Sequence, residues 1–343
     1  GVVASMTMCS RVLGLLRDIV IARFIGADAM ADAFFVAFKI PNFFRRLFAE
    51  GAFSQAFVPV LAEYREIGSQ AAVKTLINSV AGVLGSMLIA VTVLVVIAAP
   101  LITGIFAFGF WLDDPDKFAA ASGMLRVTFP YLMLISLTGF AGAILNSYDR
   151  FAVPAITPIF LNISLIVAAI FVSPWFDEPV YALAWGVLAA GVIQLLFQLP
   201  FLAQIHMIPS PTLAWRDEGV VKILKLMAPA IFGVSVSQIN LLLDTMIASL
   251  LPTGSISWLY YSDRLAELPL GVFGIAIATV ILPNLSRQHV ADNLEKFSAT
   301  LDWAIRLVLL IAIPAAIALI ILAEPILAAL FYYGEVMTPR DMA

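Results

Sequence analysis

Four long stretches of this chain carry no Asp, Glu, Lys or Arg, and they limit its fold more than any other feature. They cover residues 75–112, 127–148, 151–176 and 179–215. About 20 predominantly apolar residues are enough for a helix to cross the hydrocarbon core of a bilayer. Each stretch is therefore predicted to contain a membrane-spanning helix. Five further apolar stretches, some of them charged, extend the series to nine spans, and they cover residues 2–25, 31–61, 223–251, 256–285 and 303–330.

The composition argues against several other classes of protein. Hydrophobic residues make up 62% of the 343 and charged residues 12%, whereas a soluble globular chain carries about 25% charged residues. The sequence has no basic face for nucleic acid, no Walker A loop for ATP and no nucleophile–base pair. We therefore expect a membrane protein that neither binds nucleic acid nor acts as an enzyme. The chain begins at Gly1 and stops at the approach to a tenth span, so we also expect it to be truncated at its carboxyl end.

The distribution of charge between the predicted loops gives an orientation. With the amino terminus in the cytoplasm, the cytoplasmic segments hold Arg65, Lys74, Arg150, Arg216, Lys222, Lys225, Arg287 and Lys296. The opposite loops hold Asp28, Asp113, Asp114, Asp116, Asp177, Glu178 and Glu335, with Lys117 as the clear basic exception. This is the positive-inside pattern, and it predicts a multi-pass inner-membrane protein with a cytoplasmic amino terminus.

A weak internal repeat suggests how the spans are grouped. A shift of about 226 residues lays Arg11, Gly14 and Asp18 over Ser237, Asn240 and Asp244. The shift covers six helices, so the two copies would point the same way and be related by a pseudo-twofold axis along the membrane normal. We predict an amino-terminal lobe at residues 1–208, a cytoplasmic linker at 209–218, and a partial carboxyl-terminal lobe at 219–343 that holds helices 7–9 and the start of helix 10.

Ionisable side chains at membrane depth are the most informative residues. Each Arg, Lys or Asp at a helix centre costs about 2.5–3.5 kcal/mol on insertion scales, so such groups face a bundle interior or a wet cavity. The first, second and eighth predicted spans carry Arg11, Arg17, Asp18 and Arg23, then Asp32, Lys39, Arg45, Arg46 and Glu50 around Pro41, and finally Asp263, Arg264 and Glu267. Basic residues outnumber acidic ones in the first two spans.

A structural role is the alternative for any one of these residues. Arg23 and Arg45 could extend toward an interface, and Arg46 and Glu50, four apart, could simply pair. Arginine's planar fork suits bidentate binding of phosphate oxygens, so the arginines as a group predict a cavity for a diphosphate or another polyanion on a large lipid. Three of these arginines are predicted to lie too far from the membrane–water interface for their side chains to reach it easily: Arg11, Arg17 and Arg264.

A second polar stripe lies on the seventh predicted span, at Gly233, Ser237, Asn240 and Asp244. Hydrogen bonding between helices is one interpretation, because small and polar residues commonly provide it in membranes. A Na⁺ or proton site at Asp244 is the other, since hard cations prefer oxygen ligands. The residues alone leave both interpretations open.

Residues 10–64 resemble the amino-terminal signature of the MurJ (MviN) lipid II flippases. Their sequence is SRVLGLLRDIVIARFIGADAMADAFFVAFKIPNFFRRLFAEGAFSQAFVPVLAEY. The likeness continues through ALAWGVLAAGVIQL, WLYYSDRLAELPLGVFGIAIATVILPNLS and the FYYG turn at residues 331–334. It implies an all-α fold of the multidrug/oligosaccharidyl-lipid/polysaccharide (MOP) exporter superfamily. That fold has fourteen helices, in two six-helix lobes plus two extra helices that form a lipid groove.

The resemblance also implies roles for individual residues. The family's cavity arginines, which hold the lipid II diphosphate and headgroup, correspond by position to Arg11, Arg17, Arg45 and Arg264. Polar residues of the cavity and its gates correspond to Asp18, Asp32, Asn42, Glu50, Asp263 and Glu267, and Arg46 is included in the predicted binding set. Asp244 matches a position that contributes to a Na⁺ site in some members.

The resemblance implies that the protein transports its substrate by alternating access. An inward-open cavity would bind the headgroup of undecaprenyl-diphosphate-linked disaccharide-pentapeptide, and the lobes would then rock and release it outside. No cofactor is expected beyond Na⁺ or another coupling ion, the partners would be lipid II and membrane lipids, and the sequence leaves the oligomeric state open. The alternatives are a multidrug or other lipid-linked oligosaccharide exporter of the same superfamily, or a membrane scaffold that transports nothing.

Overall fold

The computed structural model describes residues 2–269, 277, 281, 285, 294–332, 337–338 and 341. Every regular element in these residues is helical. The first lie at Val2–Phe24 (α1), Ala29–Phe44 (α2), Ser54–Ile67 (α3), Gln70–Ile97 (α4), Ala99–Phe106 (α5), Phe108–Asp113 (α6), Pro115–Thr128 (α7) and Pro130–Ser147 (α8). The others lie at Ala152–Val167 (α9), Val180–Gln204 (α10), Glu218–Ser249 (α11), Ser255–Pro269 (α12), Leu294–Ile321 (α13) and Ala323–Phe331 (α14).

Six helical segments of the described chain are long and apolar enough to cross a membrane. They are Gln70–Ile97, Pro115–Ser147, Ala152–Trp175, Val180–Gln204, Glu218–Val236 and Glu295–Ile321. The first two predicted spans are also helical, as α1 and as the continuous run from α2 to α3, but several charged residues interrupt them. The eighth predicted span begins as α12 and then passes into residues 270–276, outside the described part of the chain.

The fourth span differs from its prediction. The expected start was residue 127, but α7 and α8 form one segment that begins at Pro115 and turns slightly at Pro130. Asp114 caps α7 by accepting a hydrogen bond from the Lys117 backbone N–H. An amino-terminal cap and a proline in the first turn both favour a helix start. Lys117 therefore belongs to a helix and is only 3% exposed, rather than lying in an outer loop.

A wide turn interrupts the second span just after Pro41. The segment Arg45–Phe53 is a π-helix between α2 and α3, and we call it the π-segment. Proline removes the backbone hydrogen bond to the residue four before it, so the missing N–H of Pro41 affects the ladder at Ala37, upstream of the π-segment. π-Turns widen a helix and often occur at functional sites.

The chain forms two compact units, Gly1–Ser257 (unit 1) and Trp258–Ala343 (unit 2). A core cluster in unit 1 joins α3, α4 and α8 to the start of α11, through residues such as Phe57, Ile77, Phe140 and Ile223. Phe57 and Phe140 have ring centroids 5.1 Å apart. The predicted division into lobes at residues 208 and 219 stays a prediction.

The segment between α10 and α11 lies along α4. The Thr212 N–H donates to the Asn78 carbonyl at 3.0 Å, and the Ser210 N–H donates to Asn78 Oδ1 at 2.8 Å. A Cβ at Gly82 would lie 2.1 Å from the Thr212 carbonyl oxygen, so only glycine fits there. We call the end of unit 1 that holds this segment the proximal end. The opposite end, where α1 ends and α2 begins, is the distal end.

Candidate functional site

Arg17 and Asp18, predicted as cavity residues, form a buried ion pair in the middle of α1. The Nε and Nη2 atoms of Arg17 lie 2.9 and 2.7 Å from Asp18 Oδ1, and Nη1 donates to Asn162 Oδ1 at 2.9 Å. Arg17 is 4% exposed and Asp18 1%. Asp18 can partner only one of the arginines of α1, and its partner is Arg17, whose guanidinium is held by an acid and an amide. That Arg17 and Asp18 line a substrate cavity stays a prediction.

Asn162 on α9 connects this pair to the backbone of α1. Its Nδ2 donates to the Ser10 carbonyl at 3.0 Å, while its Oδ1 accepts from Arg17. A Cβ at Gly14 would meet the same amide at 3.9 Å, an ordinary van der Waals distance, so α9 lies beside α1 at this point. Asn162 thus fixes both the position of Arg17 and the packing of the two helices.

Arg11 has a different environment. It lies on α1 nearly two turns before Asp18 and is half-buried. Within the described part of the chain it forms no ion pair. An arginine at membrane depth without an acidic partner is costly unless a wet cavity or a ligand meets it. At membrane depth the charge of Arg11 therefore has to be met by a wet cavity or a ligand.

The charged residues of the second predicted span surround the π-segment. Asn42 Nδ2 donates to the Phe38 carbonyl at 2.8 Å, and its Oδ1 accepts from Arg45 Nε at 3.2 Å. Arg45 is half-buried and Arg46 is exposed. The side chain of Glu50 is outside the described set, so its predicted pairing with Arg46 stays a prediction.

Asp32 is the most highly bonded acid of unit 1. Its Oδ2 accepts from Lys117 Nζ at 2.9 Å and from the Gly254 N–H at 2.7 Å. Its Oδ1 accepts from Ser257 twice, from the N–H at 2.9 Å and from Oγ at 2.6 Å. Asp32 is 1% exposed, and we call this group of four residues the distal latch. It joins α2 and α7 to the turn that follows α11.

A backbone contact adds to the distal latch. The Gly109 N–H of α6 donates to Ser249 Oγ at the end of α11, at 3.0 Å. A Cβ at Gly109 would lie 2.1 Å from the Ser249 carbonyl oxygen, so the two backbones meet directly. Two independent contacts therefore hold the carboxyl end of α11 to the helices that precede it.

The proximal end of α11 is held by polar contacts near the membrane surface. Lys222 forms an ion pair with Glu63 at the end of α3, and both side chains are about half exposed. Burial raises the pKa of the neighbouring Tyr64 hydroxyl, and the carboxylates of Asp217, Glu218 and Glu63 raise it further. Tyr64 is therefore neutral at physiological pH, and the exposed ion pair there contributes little to stability.

The predicted residues of the eighth span lie in α12, within unit 2. Arg264 Nη1 lies 3.2 Å from Glu267 Oε2, and its guanidinium carbon lies 5.3 Å from the centre of the Tyr260 ring. Asp263 is exposed. That these residues line one cavity with Arg11 and Arg17 stays a prediction.

Three of the four residues of the polar stripe of α11 are exposed, and the side chain of the fourth, Ser237, lies outside the described set. Asn240 and Asp244 are both exposed, and a Cβ at Gly233 would meet nothing within 4 Å. The described residues contain no group of three or more His, Cys, Asp or Glu side chains that could hold a metal ion. The Na⁺ site at Asp244 therefore stays a prediction.

Three residues of these clusters were missed by the sequence reasoning: Asn162, Lys117 and Ser257. Lys117 did give a signal, because it is the clear basic exception among the acidic loops. Asn162 is an amide within a charge-free span, a pattern that also fits simple helix packing. Ser257 gave no signal that distinguished it from other serines.

Comparison with known proteins decides the family. The family description "Lipid II flippase MurJ" matches residues 21–341. The chain belongs to the MurJ family. It is 53% identical over 344 residues to "Probable lipid II flippase MurJ" of Haemophilus influenzae, which covers 97% of this chain and 68% of that protein. It is 45% identical to "Lipid II flippase MurJ" of Burkholderia cenocepacia, covering 97% of this chain and 65% of that protein.

The MurJ likeness extends to solved structures. A chain described as "Lipid II flippase MurJ, inward closed conformation" matches with a TM-score of 0.83 at 29% identity, covering 99% of this chain and 69% of that one. An inward-facing multidrug resistance MATE transporter of the MOP superfamily matches with a TM-score of 0.76 at 17% identity, covering 99% and 77%. At that identity the MATE match shows the fold alone. The predicted all-α, MOP-type membrane fold is confirmed, and this chain spans about two thirds of its curated MurJ relatives.

Proposed function

We propose that this chain moves the headgroup of lipid II from the cytoplasmic to the outer leaflet by alternating access. The match to lipid II flippases across nearly the whole chain carries the proposal. The contacts within unit 1 suggest which residues form an anion site and which form a gate. This role is that of a transporter in the inner membrane, and it needs no catalytic chemistry from the protein.

The anion site is centred on α1 and the π-segment. Arg11 forms no ion pair with any described residue, and Arg45 Nε donates to Asn42 Oδ1 at 3.2 Å. Both can offer a guanidinium fork to diphosphate oxygens. Arg17 is bound more firmly, so we assign it two roles: it neutralises Asp18, and it exchanges that partner for the diphosphate when lipid II enters. That Arg264 of α12 belongs to the same site stays a prediction.

The gate is the distal latch. Lys117, Gly254 and Ser257 together give Asp32 four hydrogen bonds in a buried setting. With the amino terminus in the cytoplasm, the distal end faces outside, so the latch closes the outer side while the headgroup enters from the cytoplasm. Opening of the outer side then requires the four hydrogen bonds to Asp32 to break together. The free-energy cost of breaking them prevents the outer and cytoplasmic sides from being open at the same time.

A multidrug exporter is the second candidate, favoured by the fold match to the MATE transporter. An exporter of organic cations would need an excess of acids around its cavity. In α1 the acid Asp18 is already neutralised by Arg17, while Arg11 is left over, which favours an anionic substrate.

Na⁺ binding at Asp244 and coupling to the membrane potential are part of the proposal for the energy source.

The test is translocation of lipid II in cells depleted of their native flippase and supplied with the protein from its own gene. Wild type should restore translocation. Arg11→Ala should abolish it, and Arg11→Lys should impair it, because lysine keeps the charge but loses the fork. Membrane abundance of each variant serves as the control. Full translocation by Arg11→Ala would overturn the anion-site proposal.

A further inference from the structure

An apolar cleft opens between α4 and α11 in unit 1. One wall is formed by residues of α4, among them Val83, Leu84 and Met87, and the facing wall by Ile223 and Leu224 of α11. Phe48 and Phe53 of the π-segment and Leu132 and Ser136 of α8 close its back. None of these residues belongs to the anion site or to the distal latch.

The chemistry of the lining excludes water as the natural occupant. Ser136 is the single polar residue among those that line the cleft. Its Oγ is buried and makes no hydrogen bond to any described residue. A buried water needs about two to four polar partners, so one hydroxyl cannot hold it. The cleft therefore suits an apolar occupant.

The position of the cleft identifies where such an occupant comes from. α4, α8 and α11 are all parts of segments apolar enough to cross a membrane. Along α4 the lining runs from Val80 to Val91, which at 1.5 Å per residue is about 16 Å. This is about half of the 30 Å hydrocarbon core, or the depth of one leaflet.

The rim of the cleft is continuous with a surface that faces lipid. Met87 lines the cleft and is 38% exposed. Leu94, two turns further along the same face of α4, is 63% exposed. Residues seven apart lie on one face of a helix, so an apolar path leads from the outer surface of α4 into the cleft.

We propose that the cleft binds one acyl chain of a membrane phospholipid, which enters beside Met87 and lies between α4 and α11. The occupant completes the packing where these two helices leave a gap. It also lets α11 shift against α4 during transport without opening a void, since an empty apolar cavity costs stability. The site would exist whether or not the protein carries lipid II.

The experiment is native mass spectrometry of the purified protein after detergent exchange, which counts the phospholipids that remain bound. Wild type should retain one phospholipid. Leu84→Trp fills the cleft from the α4 wall and Leu224→Trp fills it from the α11 wall. Each should lower the retained fraction at least tenfold, equivalent to about 1.4 kcal/mol of lost binding.

Ile89→Trp is the matched control, because Ile89 lies on the same helix, is 55% exposed and does not line the cleft. It should retain the phospholipid as wild type does. Thermal unfolding identifies any wall variant that fails to fold. Phospholipid retention by the other wall variant then tests the proposal. Retention of detergent alone, retention of an isoprenoid lipid in place of a phospholipid, or unchanged retention by folded wall variants would overturn the proposal.

Discussion

Lys117 Nζ lies 2.9 Å from Asp32 Oδ2, and neither side chain is more than 4% exposed. Removing one partner of a buried ion pair costs about 3–5 kcal/mol, because the other charge is left unpaired. Lys117→Met should therefore lower the melting temperature strongly. The double variant Asp32→Asn with Lys117→Met should recover most of the loss, since no charge then remains buried. A double variant no more stable than Lys117→Met would contradict the pairing.

The distal latch should also control access from outside. In a Cys9→Ser background, a cysteine replacing Ile256, which is 0% exposed, should react slowly with impermeant thiol reagents. Asp32→Asn should speed that reaction, because the neutral amide loses the charge-assisted bonds to Lys117 and Ser257. Ser255→Ala is the control, since the Ser255 hydroxyl bonds only locally to the Pro252 carbonyl. Equal labelling rates in Asp32→Asn and Ser255→Ala would remove the gating role.

Arg11 and Arg17 should respond differently to truncation. Arg17→Ala leaves Asp18 buried without its cation, so it should reduce membrane abundance and stability as well as translocation. Combining it with Asp18→Asn should restore abundance but not translocation. Arg11→Ala should reduce translocation alone, because removing an unpaired intramembrane charge does not penalise insertion. Abundance by immunoblot beside translocation separates the two effects, and an equal fall in abundance for both single variants would argue against the assignment.

Two glycines of α4 provide a matched pair for the contact with the α10–α11 segment. A Cβ at Gly82 would lie 2.1 Å from the Thr212 carbonyl oxygen, whereas one at Gly85 would meet nothing within 4 Å. Gly82→Ala should destabilise by about 1–3 kcal/mol through forced displacement of that segment. Gly85→Ala should be neutral or stabilise by up to about 1 kcal/mol, because alanine favours helix. Thermal unfolding checks both, and the reverse order would exclude the close approach.

The Na⁺ proposal for Asp244 has a direct test. If Asp244 binds Na⁺, then Na⁺ should raise the melting temperature of the wild type above its value in K⁺, by the mass action of a bound ligand. Asp244→Ala should lose that difference while inserting normally. Asp302→Ala is a control, because Asp302 is an exposed acid of α13 that pairs with Arg306. A wild type indifferent to Na⁺ leaves Asp244 only a packing role.

Orientation can be tested by labelling exposed sites at the two ends. Glu66 and Asp113 are both exposed, and neither caps a helix, unlike their neighbours Ser69 and Asp114. In a Cys9→Ser background, a cysteine at Glu66 should react only with reagents that reach the cytoplasm. A cysteine at Asp113 should react with impermeant reagents added outside. The reverse pattern would invert the orientation and the assignment of the distal latch to the outer side.

Much of the membrane fold follows from local properties of the sequence. Charge-free runs predicted helices that the structure contains as α4, α9 and α10, because apolar length is a property of one continuous segment. Pro41 of the second predicted span lies inside α2, and the π-segment begins four residues after it. The charged residues of α1 were correctly identified as unusual, since each is costly at membrane depth.

Tertiary structure alone decided which of those charges are paired. Lys117 and Asp32 are 85 residues apart in sequence, and Ser257 lies a further 140 residues on. Asn162 approaches Arg17 across 145 residues. Hydrophobic length can be read along one helix, but an ion pair or a hydrogen bond exists only where two helices bring their atoms within about 3 Å. The sequence therefore determined that the chain spans a membrane with costly charges inside it. Packing between helices determined that Arg17 contacts both Asp18 and Asn162, that Arg11 forms no ion pair with a described residue, and that Asp32 accepts four hydrogen bonds.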